Sequence, residues 1–183
     1  MKVLGLSGSL RAGSHNSKLL RAAGDLLPGE AELVEFDGLK LMPPFDEDDE
    51  HARPDEVQAL FDAIAESDAV LISTPEYNHS IPGQLKNALD WLSRPLAESP
   101  LRNKPVAVVG ASTGLFGAVW AQAEACKVLS AIGARVIDRE LPIGMADDAF
   151  HAHGALVDED LSLALAGILA ELHAETRDPA LVS

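Results

Sequence analysis

The sequence predicts an α/β fold in which helices cover both faces of an open, parallel, five-stranded sheet. Three apolar runs, at residues 3–6, 69–72 and 106–109, are continuous rather than alternating. Continuous runs of this length are typical of parallel strands that are buried on both faces. Between these runs apolar residues recur at helical spacing, and a regular alternation of strands and helices builds a parallel sheet.

Five strands, each followed by a helix, account for the whole pattern. Weaker apolar segments at residues 32–36 and 134–137 predict the second and fifth strands. Pro54, Pro82 and Gly133 mark helix ends, because proline suits the first turn of a helix and glycine suits its carboxyl end. The helical stripes are Leu19, Ala22, Ala23 and Leu26; Val57, Leu60, Phe61 and Ile64; Leu85, Ala88, Leu89 and Leu92; Ala125, Val128, Leu129 and Ile132; and Leu161, Ala164, Leu165, Ile168 and Leu172.

The relative strength of the apolar runs predicts the strand order. The first, third and fourth runs are the most apolar and suit the centre of a sheet, whereas the second and fifth suit its edges. Right-handed crossovers then favour the order 2-1-3-4-5, which is the flavodoxin-like order of a three-layer sandwich. Ligands of such sheets bind outside the carboxyl ends of the strands, at the switch point between strands one and three. We expect one domain over residues 1–183, with a frayed tail after Arg177.

Composition excludes several classes of partner. The 183 residues carry a net charge of −15, which argues against nucleic acid and against an anionic membrane surface. Cys126 is the single cysteine, so no internal disulfide forms and a reducing compartment is permitted. No apolar run has the length of a signal peptide or a membrane span, and we expect a soluble, cytoplasmic protein.

The loop after the first strand, residues 7–17, is dense in hydrogen-bond donors. It has four serines, two glycines and Arg11 just before a helix, whose amino terminus offers free N–H groups. This density favours an anion site over the alternative of an ordinary capped turn. Ser14 stands where a P-loop has lysine, and the chain has no Gly-x-Gly-x-x-Gly motif, so the usual nucleotide-binding motifs are absent.

The loop after the third strand combines an aromatic residue with polar residues and two stiffening prolines. Tyr77 could stack on a flat ligand, while Asn78 and His79 add polar side chains between Pro75 and Pro82. A stable core needs no exposed tyrosine here, so the loop favours a site for a flat, partly polar ligand. The alternatives are a surface aromatic for Tyr77 and a solvated charge or interface contact for Glu76. No partner at a diagnostic spacing supports a general base.

The loop after the fourth strand completes this edge of the sheet. Residues 110–117 include three glycines, which allow a ligand to approach the backbone closely. Strands one, three and four place all three loops on the same edge. Elsewhere the acidic run 46–50 beside His51 is interpreted as a solvated loop, and the pair His151 and His153 lacks a third ligand, so we expect no metal site.

Three segments resemble one known family over nearly the whole chain. They are Gly8-Ser9-Leu10-Arg11 with Asn16-Ser17; Pro75-Glu76-Tyr77-Asn78 through Pro82-Gly83, Lys86-Asn87 and Asp90-Trp91; and Ser112-Thr113-Gly114. Together they resemble the NADPH-dependent FMN reductase family of flavodoxin-like flavin, quinone, chromate and azo-dye reductases. The central segment is the most specific of the three.

The resemblance implies FMN as cofactor and NADPH or NADH as co-substrate. It implies no catalytic side chain, because the flavin carries the chemistry. It also implies a small-molecule electron acceptor and a homodimer or homotetramer. The resemblance assigns the FMN phosphate to Ser9, Arg11, Asn16 and Ser17, the isoalloxazine to Pro75, Glu76, Tyr77 and Asn78 largely through backbone, and the pyrimidine edge to Ser112 and Gly114.

One residue departs from the family pattern. Many members carry arginine shortly after the third loop, where this chain has Trp120. The departure leaves acceptor specificity and oligomer contacts open. The leading hypothesis is a two-electron reductase of quinones, free flavins, azo compounds or oxidised metal ions. The alternatives are a flavodoxin-type electron carrier that does not oxidise NAD(P)H, and a scaffold protein without flavin.

Overall fold

A computed structural model describes residues 1–177 and has the expected parallel sheet at its centre. The strand order is β2-β1-β3-β4-β5, which confirms the predicted order. The tail after Arg177, expected to be frayed, lies outside the described residues. The strands are β1 (Lys2–Ser7), β2 (Glu32–Glu35), β3 (Ala69–Thr74), β4 (Pro105–Ala111), β5 (Arg135–Val136) and β6 (Pro142–Ile143).

The sixth strand was not predicted, and it extends one edge of the sheet. The first half of β4 pairs with β5, and its last two residues pair with β6 through Gly110↔Pro142 and Ala111↔Ile143. A strand of two residues has no periodic pattern, so the sequence gives no signal for it. Its effect is local, because it brings the segment after β5 against the loop that follows β4.

Five α-helices connect the strands, and the predicted helix ends are confirmed. Pro82 precedes the third helix, and Gly133 ends the fourth with a φ of 99°, a left-handed conformation that glycine adopts at low cost. The helices are α1 (His15–Leu26), α2 (Asp55–Ala65), α3 (Gly83–Leu92), α4 (Val119–Ile132) and α5 (Glu159–Glu175). None of the helices among residues 1–177 has both the length and the apolar character needed to cross a bilayer.

The helices form two layers, one on each face of the sheet. Helices α2, α3 and α4 bury Leu60, Leu89 and Leu129 against one face. Helices α1 and α5 bury Leu19 and Ile168 against the other. Each fully buried aliphatic side chain contributes roughly 1.5–3 kcal/mol, so both layers hold the sheet rigidly. Strands β3 and β4 are buried at every position, as their continuous apolar runs predicted.

Residues at the end of the central segment of the family resemblance fasten the chain between β2 and α2. Gln84 donates from its amide nitrogen to the carbonyls of residues 39 and 42, and Asn87 bonds both the N–H of Phe45 and the carbonyl of Pro43. The indole N–H of Trp91 also donates to the carbonyl of Pro43, at 3.0 Å. These motif residues therefore hold the chain between β2 and α2 against α3, away from the loops.

Candidate active site

The three loops meet at the carboxyl edge of the sheet and enclose a cleft of about 300 Å³. Seven of the ten sequence-predicted site residues line it. They are Ser9, Arg11, Asn16, Pro75, Glu76, Tyr77 and Ser112. Ser17 instead faces an adjoining depression that shares Ser9 and Arg11, while Asn78 and Gly114 lie outside the lining of the cleft.

The first loop is anchored at its base and open at its top. The N–H of Gly8 donates to the carbonyl of Ser73 at 2.8 Å, and a Cβ at Gly8 would stand 3.1 Å from the Leu85 side chain and 3.2 Å from that of Thr74, so these neighbours would have to shift by a few tenths of an ångström to admit it. Beyond that anchor, the N–H groups of residues 10–13 find no acceptor in the described part of the chain.

Arg11 gives this open loop a cation that no neighbour neutralises. Its side chain is exposed, and no carboxylate among residues 1–177 pairs with its guanidinium. A guanidinium with adjacent backbone N–H groups is the donor set that binds phosphate in proteins. The loop therefore combines one free positive charge with several free donors in a protein whose net charge is −15.

Beneath the loop, two buried polar residues are committed to the fold. The hydroxyl of Ser14 caps α1 by accepting from the N–H groups of Asn16 and Ser17, so the capped-turn alternative is correct for this residue. The Asn16 side chain accepts from the Ser73 hydroxyl at 2.9 Å and from the N–H of Ala111 at 3.0 Å, and donates to the carbonyl of Ala111. Asn16 thereby joins α1 to β3 and β4.

The central loop ends in a tight hairpin turn. Tyr77 and Ser80 exchange both backbone hydrogen bonds, at 3.0 and 3.1 Å, across Asn78 and His79. Both turn residues have positive φ, 54° and 60°, as two-residue turns of type I′ require. Asn78 occupies the exposed tip, whereas Tyr77, 54% exposed, stands at the mouth of the cleft.

Glu76 fastens this hairpin to α4. Its Oε2 accepts from the N–H groups of Trp120 and Ala121, at 3.1 and 3.3 Å, and its side chain is only 14% exposed. Ala118, at the helix N-cap, offers no side-chain cap, so the carboxylate supplies one from another loop, where the helix dipole favours a negative charge. The interpretation of Glu76 as a solvated charge is wrong.

The third loop is held against the segment after β6. Ser112 donates its N–H to the carbonyl of Ile143 and accepts from the N–H of Ala146, while Gly114 accepts from Met145. The hydroxyl of Ser112 accepts from the N–H of Gly114 at 3.0 Å. These bonds fix the backbone of the loop, so Ser112 lines the cleft from a rigid position.

Sequence reasoning missed one prominent side chain of the cleft, His15. Its Nε2 lies 3.0 Å from an oxygen of Asp147, and its ring stacks on Phe150 with centroids 6.2 Å apart. Its Nδ1 is buried and has no partner among the described residues. Asp147 is 132 positions away along the chain, so no local pattern identifies this contact.

Neither metal ligands nor a reactive thiol accompany the cleft. Across residues 1–177, no three His, Cys, Asp or Glu side chains come together as metal ligands would. Cys126 lies in α4 and is partly buried against the core. Burial, followed by the carboxylates of Glu140 and Asp138, raises the pKa of its thiol to about 11.

Comparison with known proteins decides the family. Residues 1–148 match the model of the family described as NADPH-dependent FMN reductase. The chain belongs to the NADPH-dependent FMN reductase family. It is 42% identical to an NAD(P)H-dependent FMN reductase of Pseudomonas aeruginosa, with 87% of this chain and 86% of that protein aligned. It is 35% identical to a 2-hydroxy-1,4-benzoquinone reductase of Burkholderia sp., with 97% of each chain aligned.

A solved structure and a further relative agree with the family assignment. A flavoenzyme NAD(P)H:(acceptor) oxidoreductase of Paracoccus denitrificans superposes with a TM-score of 0.83 at 34% identity and covers 96% of both chains. An Escherichia coli quinone reductase is 38% identical over 76% of this chain and 74% of its own length. The fold and the family assignment therefore rest on separate comparisons.

Proposed function

We propose that this FMN reductase family member transfers two electrons from NADPH or NADH to a small, flat acceptor such as a quinone or a free flavin. Bound FMN supplies the chemistry by accepting a hydride and passing the electrons on. The observation that carries the proposal is the cleft at the carboxyl ends of β1, β3 and β4. Its first loop combines N–H groups with the guanidinium of Arg11, and neither has a hydrogen-bond or ion-pair partner among residues 1–177.

We assign the FMN phosphate to the open first loop. Arg11 would grip it through paired N–H groups, and Ser9, Ser17 and the N–H groups of residues 10–13 would complete the donor set. Asn16 would act mainly by positioning, because its amide already bonds Ser73 and Ala111. This division of roles is finer than the one the family resemblance implied.

We assign the isoalloxazine ring to the central and third loops. Pro75 and Tyr77 would cover the ring, Glu76 and Asn78 would contribute backbone groups, and Ser112 with Gly114 would approach its pyrimidine edge. The support for this assignment is rigidity: the hairpin is bonded to itself and to α4, and the third loop is bonded to β6 and the residues after it. Rigid loops hold a cofactor in one orientation without an ordering cost on binding.

The names of the relatives favour a reductase over an electron carrier. One is named an NAD(P)H-dependent FMN reductase, one a 2-hydroxy-1,4-benzoquinone reductase and one a quinone reductase, and this chain aligns with them over most of its length. The alternative of a flavodoxin-type carrier is not favoured by any of these relatives.

The deciding experiment is an anaerobic absorbance titration of the FMN-loaded protein with NADPH and then with NADH. We expect prompt bleaching of the flavin band by one or both coenzymes, reversed by adding a quinone. A flavin that binds but stays oxidised would contradict the reductase and leave a carrier. FMN that does not raise the melting temperature would contradict flavin binding itself, because a ligand specific to the folded state must stabilise it.

We also propose a homodimer in the cytoplasm, with a tetramer as the next assembly. A groove of about 310 Å³ between α3 and α4 has an apolar floor that includes Leu89 and Val128. Its rim carries both signs of charge, in the ion pairs Lys86–Asp90 and Glu124–Lys127. A second copy related by a twofold axis would find complementary charges there. Sedimentation velocity of the FMN-loaded protein tests this, and a monomer would contradict it.

A further inference from the structure

Three exposed aromatic side chains lie at or beside the hairpin of the central loop: Tyr77 lines the cleft, Trp120 contacts His79 of the hairpin, and Phe116 contacts Trp120. The chain has five Phe, two Trp and one Tyr, and aromatic residues make up only 4% of it. Tyr77, Phe116 and Trp120 are the exposed ones, at 54%, 63% and 42% exposure. They belong to the hairpin and to the first turn of α4 with the loop before it, and we refer to these three residues as the aromatic ledge.

Two aromatic contacts hold Trp120 within the ledge. The Trp120 ring meets the rings of His79 and Phe116 edge-on, with centroids 4.7 and 5.2 Å away. Its backbone N–H donates to Glu76, which itself lines the cleft. Each such aromatic contact contributes about 0.5–1.5 kcal/mol beyond its buried area, so the ring is held in place before any ligand arrives.

Charge around the ledge disfavours anions. Among the residues that line the cleft, Arg11 is the only lysine or arginine, and the proposed function commits it to the FMN phosphate. The carboxylate of Glu76 accepts from the backbone N–H of Trp120 through one oxygen, and its other oxygen lies 3.5 Å from Nδ1 of His79. An anionic acceptor would approach the ledge against a net protein charge of −15, and no lysine or arginine other than Arg11 lines the cleft to receive it.

We propose that the aromatic ledge selects the electron acceptor, favouring uncharged quinones over anionic acceptors. This inference rests on the proposed function and names Trp120 as the specificity-determining residue. The reaction balances as NAD(P)H plus one proton plus quinone giving NAD(P)⁺ plus hydroquinone. The acceptor's flat ring would lie against the Trp120 indole. The indole would pack favourably on an apolar ring but would offer no partner to a negatively charged group.

The test compares menadione with a naphthoquinone sulfonate as acceptors of the FMN-loaded enzyme. We would measure kcat/KM for each acceptor in the parent chain, Trp120→Arg and Trp120→Phe. Leu163→Arg is the matched control. Leu163 is 70% exposed on α5, so the substitution adds the same charge in the helix layer on the opposite face of the sheet from α4. Comparing each acceptor across variants removes the difference in their reduction potentials.

We expect Trp120→Arg to raise the ratio of sulfonate to menadione efficiency about tenfold, equivalent to about 1.4 kcal/mol. Trp120→Phe should keep the parent preference within about threefold, since a neutral aromatic face remains. Leu163→Arg should leave the ratio unchanged. Equal ratios in the parent, Trp120→Arg and Leu163→Arg would overturn the proposal.

Two further measurements separate this inference from the proposed function. If NAD(P)H fails to reduce the FMN-loaded protein, dithionite-reduced protein can be reoxidised by each acceptor in a stopped-flow mixer, which tests the ledge alone. If Trp120→Arg loses FMN, Phe116→Arg places the charge on the neighbouring ring of the ledge. In both measurements a shift towards the sulfonate supports the proposal, and an unchanged ratio overturns it.

Discussion

Polar residues lie both on the floor of the cleft, beneath the first loop, and on its rim, at the top of that loop. The two groups differ in whether they form hydrogen bonds within the chain. On the floor, Ser14, Asn16 and Ser73 are at most 2% exposed, and their side chains bond groups within the chain. On the rim, the Arg11 guanidinium and the N–H groups of residues 10–13 face solvent and have no partner in the described part of the chain. Neighbouring parts of one site thus differ in whether their polar groups are paired within the protein.

The contrast separates residues that build the site from residues that can bind at it. A buried polar group must find a partner during folding, because leaving it unpaired costs more than its hydrogen bond returns. An exposed donor can wait for a ligand, since water satisfies it meanwhile. The family resemblance placed Asn16 and Arg11 in the same phosphate-binding role, and the structure divides them between floor and rim.

The largest expected effect is on the floor, from Asn16→Ala. The substitution removes the partner of the Ser73 hydroxyl and of both backbone groups of Ala111, all of them buried. We expect the free energy of unfolding of the apoprotein to fall by about 2–4 kcal/mol, measured by urea denaturation. Ser17→Ala, one position along on the rim, is the control and should change it by less than about 0.5 kcal/mol. Equal losses in both variants would erase the distinction between floor and rim.

The rim is tested by Arg11→Ala, which should change binding and not folding. Losing a charge-assisted contact to the FMN phosphate should raise the Kd of FMN about 30-fold, or about 2 kcal/mol. Riboflavin, which lacks the phosphate, should bind parent and variant equally, and the apoprotein should unfold as the parent does. Arg102→Ala, an exposed arginine at the opposite end of the sheet, controls for lost positive charge. FMN affinity that survives Arg11→Ala would contradict the phosphate assignment.

The strand order and helices were predictable because burial leaves a local signature. Strands β3 and β4 are buried throughout, and their apolar runs marked them as central. Helix α4 ended at Gly133 as predicted, because a left-handed residue follows the last turn. By contrast, β6 has two residues and exists through its pairing with β4 and its contacts to the third loop, which no short window of sequence contains.

The roles of individual site residues were less predictable, because their partners are distant in sequence. Glu76 caps a helix 44 positions away, Asn16 bonds a residue 95 positions away, and His15 meets Asp147 across 132 positions. The sequence segments predicted Glu76 and Asn16 as residues of one site but gave no signal for His15, and the contacts of each residue are visible only in the structure. Arg11 is the one lysine or arginine of residues 7–17, and its role in binding phosphate stays a prediction.

Glu76 lies between floor and rim, and its substitution should have an intermediate effect. Glu76→Ala removes the cap of α4, and we expect the free energy of unfolding to fall by about 1 kcal/mol. Glu76→Gln keeps an acceptor oxygen but loses the charge, so roughly half of that loss should remain. Thermal unfolding of both apoproteins at low and high salt would separate the contribution of the hydrogen bonds from that of the charge. A Glu76→Ala protein as stable as the parent would show that the carboxylate does not stabilise α4 and is available to bind a ligand.

The smallest expected effect is at the hairpin tip, where the backbone conformation of Asn78, rather than its side chain, matters for the turn. Its φ of 54° is tolerated by asparagine and glycine and is costly for alanine. Asn78→Ala should therefore lower the free energy of unfolding by about 0.5–1 kcal/mol, and Asn78→Gly should stay within about 0.5 kcal/mol of the parent. The Kd of FMN decides what the tip contributes to binding. If Asn78 contacts the flavin through its backbone, Asn78→Gly should keep the parent affinity for FMN. A clear loss of FMN affinity would instead show that the Asn78 side chain takes part in binding.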